Sequence, residues 1–287
     1  MKEPVESPAS LARRRFVAAA VALALAPGLR SARAQGRVNP PALLDNPQGG
    51  YWVLPAGPVF CGGVTPAEGY EIVHALLSPW VPLKDAWTFI ETYLKSIGRP
   101  VQALCGMELR IPQQLSFEGF REFNAPYVEQ LERWNLLLGR YSAVCRTNVA
   151  PARDVPKEPC VHAFSYSTPS EFKGITFCVS GTADIDQRGK IVAEGDVSPA
   201  GMRKRIQHCV DTITERLAML DLIWSAATHI DLSLVEDIPG LMDSVIVPGL
   251  QGAAARGIRM HHARPPIIGA EVELECRGAR RELVLSA

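Results

Sequence analysis

The sequence predicts an α+β protein made of two tandem repeats, each a mixed sheet with two helices on one face. Three observations predict this. Two strand-like segments open alike, Phe60-Cys61-Gly62-Gly63-Val64-Thr65 and Phe177-Cys178-Val179-Ser180-Gly181-Thr182. Each is followed by a helix, a strand and a second helix, read from the apolar spacing. Each series then reaches a strand with an arginine behind a small residue, Cys145-Arg146 and Ala255-Arg256. Self-similarity at a long period marks two copies of one supersecondary unit.

The chain starts with targeting features. Arg13-Arg14-Arg15-Phe16 precedes an apolar run from Val17 to Ala26, and Ser31-Ala32-Arg33-Ala34 offers a small-x-small cleavage site. Residues 1–34 are therefore expected to be an export signal of the twin-arginine type, directing the chain to the periplasm. The apolar run falls short of the about 20 residues a membrane helix needs, so no stable membrane insertion is expected. Residues 35–50, rich in Pro, Asn and Gly, read as an exposed leader.

The first repeat is placed at 51–168. Trp52 to Leu54 and Val59 to Cys61 read as short strands. Pro82 starts a helix carrying Leu83, Ala86, Trp87, Ile90, Leu94 and Ile97 at helical spacing, and Gly98 and Pro100 stop it. Val101 to Ile111 reads as a strand. Ser116 caps a helix with Phe117, Phe120, Phe123, Tyr127, Leu131 and Trp134 on one side. Arg146 to Val149 and Cys160 to Tyr166 close the repeat.

The second repeat is placed at 169–287. Gly174 to Thr182 reads as a strand and Asp184 to Gly195 as a polar turn. Ser198-Pro199 is a cap and first helical position, followed by an apolar stripe of Met202, Ile206, Val210, Ile213, Leu217 and Leu220. Arg203-Lys204-Arg205 is expected on the solvated face of that helix. Leu222 to Ile230 reads as a strand and Leu241 to Val247 as a short helix. Arg256 to His262 and Ile267 to Cys276 are the closing strands.

Composition narrows the function. The 30 basic and 30 acidic residues cancel, and no basic stripe marks a nucleic-acid partner. The seven cysteines contain no C-x-x-C pair, which argues against a zinc ribbon, a redox pair or a c-type haem. Cys61, Cys178 and Cys209 read as core thiols. His261 and His262 are neighbours on a strand and face opposite ways, so no metal site is expected. There is no P-loop and no dinucleotide fingerprint, and no cofactor is expected. Ser180 lacks the nucleophile-elbow context of a serine hydrolase.

At the level of ordered motifs the chain resembles the RidA/YjgF superfamily of small enamine and imine deaminases. The resemblance rests on Phe177-Cys178-Val179-Ser180-Gly181, Gly195-Asp196 before a helix, Ala255-Arg256, Pro265, and the strand Glu271-Val272-Glu273-Leu274-Glu275. It covers nearly all of the second repeat. It reaches the first repeat more loosely, through its opening strand, its helices, Asn124 and Cys145-Arg146-Thr147. The resemblance implies two RidA-like, chorismate-mutase-like repeats and a homo-oligomer with repeats in a trimer-like arrangement. It is shared more distantly with chorismatases, which leaves a chorismatase-like hydrolysis open.

The resemblance also implies a hydrolytic deaminase acting on a small carboxylate-bearing molecule. Arg256 is expected to hold the carboxylate, since a guanidinium matches it with two prongs. Glu271 or Glu273 is expected to handle water. Arg146, Tyr166, Ser180, Gly181 and Arg264 are expected to line the substrate cleft. The first repeat departs from the pattern: Val161 and Ala163 stand where acids are expected, so Arg146 is assigned the lesser role. The rival reading is a non-catalytic periplasmic carboxylate-binding or scaffold protein with the same fold.

Overall fold

The computed structural model describes residues 42–287. The expected export signal and the first part of the leader lie outside them. The described chain begins with β1 (Leu44–Asn46), β2 (Tyr51–Leu54) and β3 (Gly63–Pro66). Then follow β4 (Tyr70–Pro82), α1 (Leu83–Ser96), β5 (Leu104–Arg110) and α2 (Phe117–Arg133). A small hairpin of β6 (Leu137–Leu138) and β7 (Tyr141–Ser142) leads to β8 (Cys145–Pro151) and β9 (Cys160–Pro169). The second half contains β10 (Phe177–Ala183), α3 (Pro199–Met219), β11 (His229–Ser233), β12 (Arg259–His261), β13 (Ala263–Arg264), β14 (Glu273–Gly278) and β15 (Glu282–Ser286).

Two mixed sheets result, in the orders β1-β2-β3-β10-β14-β11-β12 and β13-β8-β5-β9-β4-β15. The run β8-β5-β9-β4 in one sheet is repeated as β12-β11-β14-β10 in the other. The parallel and antiparallel pairings match as well. This repeat corrects the alignment read from the sequence. The counterpart of β10 is the long β4, which carries none of the Phe-Cys-x-x-x-Thr signature. The segment at Phe60–Thr65 instead ends in β3, which pairs with β10 itself through Val64 and Cys178.

Strands also cross between the halves. β1–β3 extend the sheet of the second half, and β15 runs parallel to β4, pairing Glu282 with His74. β13 pairs with β8. Sequence position 168 therefore does not separate one sheet from the other. Leu44–Asn46, expected in an exposed leader, is a strand paired with β2, and the buried Asn46 side chain donates to the Gln102 carbonyl at 3.1 Å.

The helices form where their caps and stripes place them. Ser116 Oγ accepts from Gly119 N at 3.0 Å and Ser198 Oγ from Gly201 N at 3.3 Å. Gly98 ends α1 with φ +71°, a conformation that costs glycine little. The strand expected at Leu222 to Ile230 starts only at His229. Before it, Trp224 sits in a 3₁₀ turn with Nε1 donating to Thr214 Oγ1 on α3 at 2.8 Å. Arg205, expected on a solvated face, is buried. Its guanidinium pairs with Asp184 Oδ2 at 2.5 Å and donates to the Ala193 and Gly269 carbonyls.

The outer face of each sheet carries an apolar core. α1 and α2 pack on one through Ile90, Leu94, Tyr127 and Leu131, and α3 packs on the other through Ile206, Val210, Ile213 and Leu217. The inner faces meet each other through a polar layer. Arg277 on β14 reaches Glu108 on β5 at 3.4 Å, Asp231 at 2.8 Å and Glu275 at 3.3 Å. Thr147 on β8 donates to Glu275 on β14. Sheet-to-sheet packing thus occurs within one chain, and ion pairs and hydrogen bonds form much of it.

Candidate active site

The site lies where β8 of one sheet touches β10 of the other. Ser180 Oγ accepts from Arg146 N at 3.0 Å and donates to the Cys61 carbonyl at 2.5 Å. Gly181 N donates to Thr147 Oγ1 at 3.2 Å. Beside this junction opens a cleft of about 940 Å³, flanked by Phe120 of α2 and by His208, Asp211, Thr212, Glu215 and Arg216 of α3. Arg146, Asn148, Gly181 and Glu273 form part of its wall.

Arg146 is buried, and neither terminal guanidinium nitrogen has a hydrogen-bond partner among the described residues. Its guanidinium carbon lies 4.7 Å from the Tyr127 ring centre, 5.4 Å from that of Phe120 and 5.9 Å from that of Phe123. Burial pulls its pKa down, partly opposed by Tyr127 and, less, by Glu273. A buried guanidinium without acceptors is unfavourable unless something supplies them.

Glu273 comes from the other half. Its Oε1 accepts from Asn148 N at 3.3 Å. Burial raises its pKa to about 8, against the opposing influence of the Asn148 amide and of the Arg110 and Arg146 guanidiniums. Its place is fixed from behind: Asp184 accepts from the Glu271 and Val272 amides while pairing with Arg205. Gly181 leaves the carboxyl its space. A Cβ there would lie 2.5 Å from Glu273 Oε1 and 2.8 Å from Thr147 Oγ1. The loop at 265–270 is pinned by Gln114 Nε2, which donates to the carbonyls of Pro265, Ile267 and Ala270.

The structure thus brings together Arg146, Gly181 and Glu273, with Ser180 as a brace behind them. It places the other expected residues elsewhere. Arg256 ends a 3₁₀ turn before β12, and its Nη1 caps the carbonyls of Ser225 at 2.6 Å and Ala227 at 2.9 Å. The expected placing of Arg256 on a closing strand beside the cleft is corrected accordingly: β12 begins only at Arg259, and Arg256 does not line the cleft. Glu271 precedes β14 and pairs with Arg264 at 2.7 Å, and Arg264 also pairs with Glu236 at 2.9 Å. Neither Glu271 nor Arg264 lines the cleft. Tyr166 packs with Phe164 and exchanges a hydrogen bond with Tyr93 at 2.8 Å, away from the site. His261 pairs with Asp231 at 2.8 Å.

Sequence reasoning missed Asn148, Thr147 and Arg216. Asn148 and Thr147 act through a neighbouring strand that the pattern cannot pair. Arg216 left a faint trace, since it flanks the apolar stripe of α3 three residues after Ile213.

Comparison with known proteins gives the family of the chain. The family model described as 2-aminomuconate deaminase CnbZ matches residues 43–283. A 2-amino-5-chloromuconate deaminase from Comamonas testosteroni is 36% identical over 253 residues, covering 86% of this chain and all of the relative. Among solved structures, a chorismatase is 13% identical with a TM-score of 0.45, over 76% of this chain and 77% of its own. A protein of the Rid family from Yersinia pestis is 12% identical with a TM-score of 0.29, over 39% of this chain and 83% of its own. The chain is an enzyme of the deaminase type, and it belongs to the 2-aminomuconate deaminase family CnbZ.

Proposed function

We propose that this cleft hydrolyses the amine from 2-amino-2-enoic acids and their imines, with Arg146 holding the carboxylate beside the amine and Glu273 moving the protons. The observation that carries the reading is the pair of terminal nitrogens of Arg146, without partners among the described residues, at the wall of this cleft. A carboxylate supplies the acceptors they lack, in bidentate geometry. Phe120 lines the cleft and packs over the guanidinium, so the entering carboxylate displaces this ring.

Glu273 enters the reaction as a neutral acid. It gives its proton to the enamine carbon, and the C=C pair becomes the new C–H bond as the nitrogen becomes an iminium. The carboxylate then takes a proton from water as the water oxygen bonds to the iminium carbon. The neutral acid next protonates the amine of this adduct. The C–N bond breaks, ammonia leaves, and the hydroxyl proton returns to Glu273 as the carbonyl forms. Arg146 offsets negative charge beside the carboxyl throughout.

The test is ammonia release from 2-aminomuconate, with keto-acid affinity measured on the same proteins. Arg146→Gln is expected to weaken keto-acid binding by roughly 30-fold or more, the scale for removing one partner of a buried charged contact. Glu273→Gln is expected to keep most of the binding and lower turnover by about 10²–10⁴. Full activity in Arg146→Gln, with activity abolished in a folded Arg256→Ala, would move the site to the second half.

A further inference from the structure

We propose that Arg216 binds a second carboxylate at the far end of the substrate and so selects dicarboxylates over monocarboxylates of equal length. This rests on the deaminase reading of the cleft. Arg216 sits on α3 and lines the same cleft as Arg146. Its Nη1 donates to the carbonyls of Ser180 at 2.8 Å and Gly181 at 3.5 Å. Those contacts anchor the guanidinium to β10, at Gly181, which leaves Glu273 its space, and at Ser180, which braces Arg146.

Arg216 has no ion pair among the described residues. Interior arginines elsewhere have acids: Arg205 pairs with Asp184, and Arg277 with Glu108, Asp231 and Glu275. No carboxylate pairs with Arg216 or Arg146 among the described residues. Asp211 and Glu215 line the cleft near Arg216 but are exposed to solvent. Burial lowers the pKa of both arginines. Asp186 and Arg188 also line the cleft, so the selection rests on the two arginines without a paired carboxylate, which offer two points at which a ligand's carboxylates can be held. A cleft of about 940 Å³ has room for a six-carbon diacid. The substrate named for the relative from Comamonas testosteroni, a muconate, is such a diacid.

The two arginines have different tasks. Arg146 is buried beneath aromatic rings, close to Glu273 and the chemistry. Arg216 is partly exposed and is anchored by main-chain acceptors that hold its direction. A donor fixed in this way loses little freedom on binding, so it discriminates by charge at low entropic cost.

The experiment uses two unreactive probes of equal carbon length, muconate (hexa-2,4-dienedioate) and sorbate (hexa-2,4-dienoate), titrated calorimetrically into the whole protein. The wild type is expected to bind muconate about 10-fold or more tightly than sorbate, the worth of one charge-assisted contact. Arg216→Gln should remove that preference and leave sorbate affinity within about twofold, and Arg216→Lys should keep part of it. Equal wild-type affinity for the two probes overturns the proposal. So does an Arg216→Gln protein that loses both probes equally, which would show a purely structural role through Ser180 and Gly181. If Arg216→Gln does not fold, the wild-type comparison and Arg216→Lys decide. Arg146→Gln separates the two levels of inference. Loss of both probes there, with neither lost in Arg216→Gln, defeats the Arg216 assignment alone. Unchanged binding of both probes in Arg146→Gln defeats the reading of the cleft itself.

Discussion

Glu273 is a carboxylic acid held in its neutral form by its surroundings, and its pH behaviour follows. Its folded pKa of about 8 lies above the ordinary 4.5. The native protein therefore keeps a proton that the unfolded chain releases between those values. Its contribution to stability is greatest below about pH 4.5 and is lost as pH rises through about 8. Glu273→Gln should flatten this part of the pH dependence, measured as the urea midpoint across the same range. In the proposed reaction, catalysis titrates with the same group. Because the neutral acid acts first on the enamine, kcat/KM is expected to hold near neutrality and to fall as pH rises through about 8. A limb that rises there instead would show that the carboxylate acts first, as a base. Gly181 permits this arrangement by having no side chain. Gly181→Ala drives a methyl against Glu273 and Thr147, with an expected loss of about 1–3 kcal/mol of stability and a larger proportional loss of turnover.

Between elements, the decisive contact is the polar layer joining the sheets. Arg277 is the one guanidinium there that touches Glu108, Asp231 and Glu275. Arg277 and the neighbouring histidines hold Glu108 well below the usual carboxylate range, despite its burial. Arg277→Met leaves these acids without their shared cation and should cost about 3–5 kcal/mol at pH 7, read from urea unfolding. Adding Glu108→Gln to it should recover part of the loss, and a loss below about 1 kcal/mol would show that the layer is no brace. The sequence revealed the helices well, because Ser116, Ser198 and Gly98 are local signals. It revealed the strands less well. β4 mixes apolar residues with Glu71, His74 and Ser78-Pro79, which blurs any alternation, and β15 begins only four positions after the end of β14. Pairings such as β15 with β4 join residues more than 200 positions apart, as in Glu282 with His74, and no local pattern encodes them.

At the scale of the whole molecule, the site was half legible. Glu273 fitted its strand motif and Arg146 its small-residue–arginine pair, but the partnership between them crosses from one copy to the other. Reading each copy as self-contained gives Arg256 the role proposed here for Arg146. The missing acid at Val161 and Ala163 then counted against Arg146, although β14 supplies that acid. The export reading makes a separate prediction for the full chain. Changing Arg14 and Arg15 to Lys should trap precursor in the cytoplasm, measured by cell fractionation, whereas undiminished periplasmic protein would remove the twin-arginine assignment. The division of the site between copies has one more consequence. A duplication ordinarily gives a chain a spare, free to drift while its twin works. In the proposed site the first copy supplies the arginine and the second the acid, so neither is a spare. On that division an inactivating change in either half has no understudy. The two halves are bound to a shared fate by what each supplies to the other.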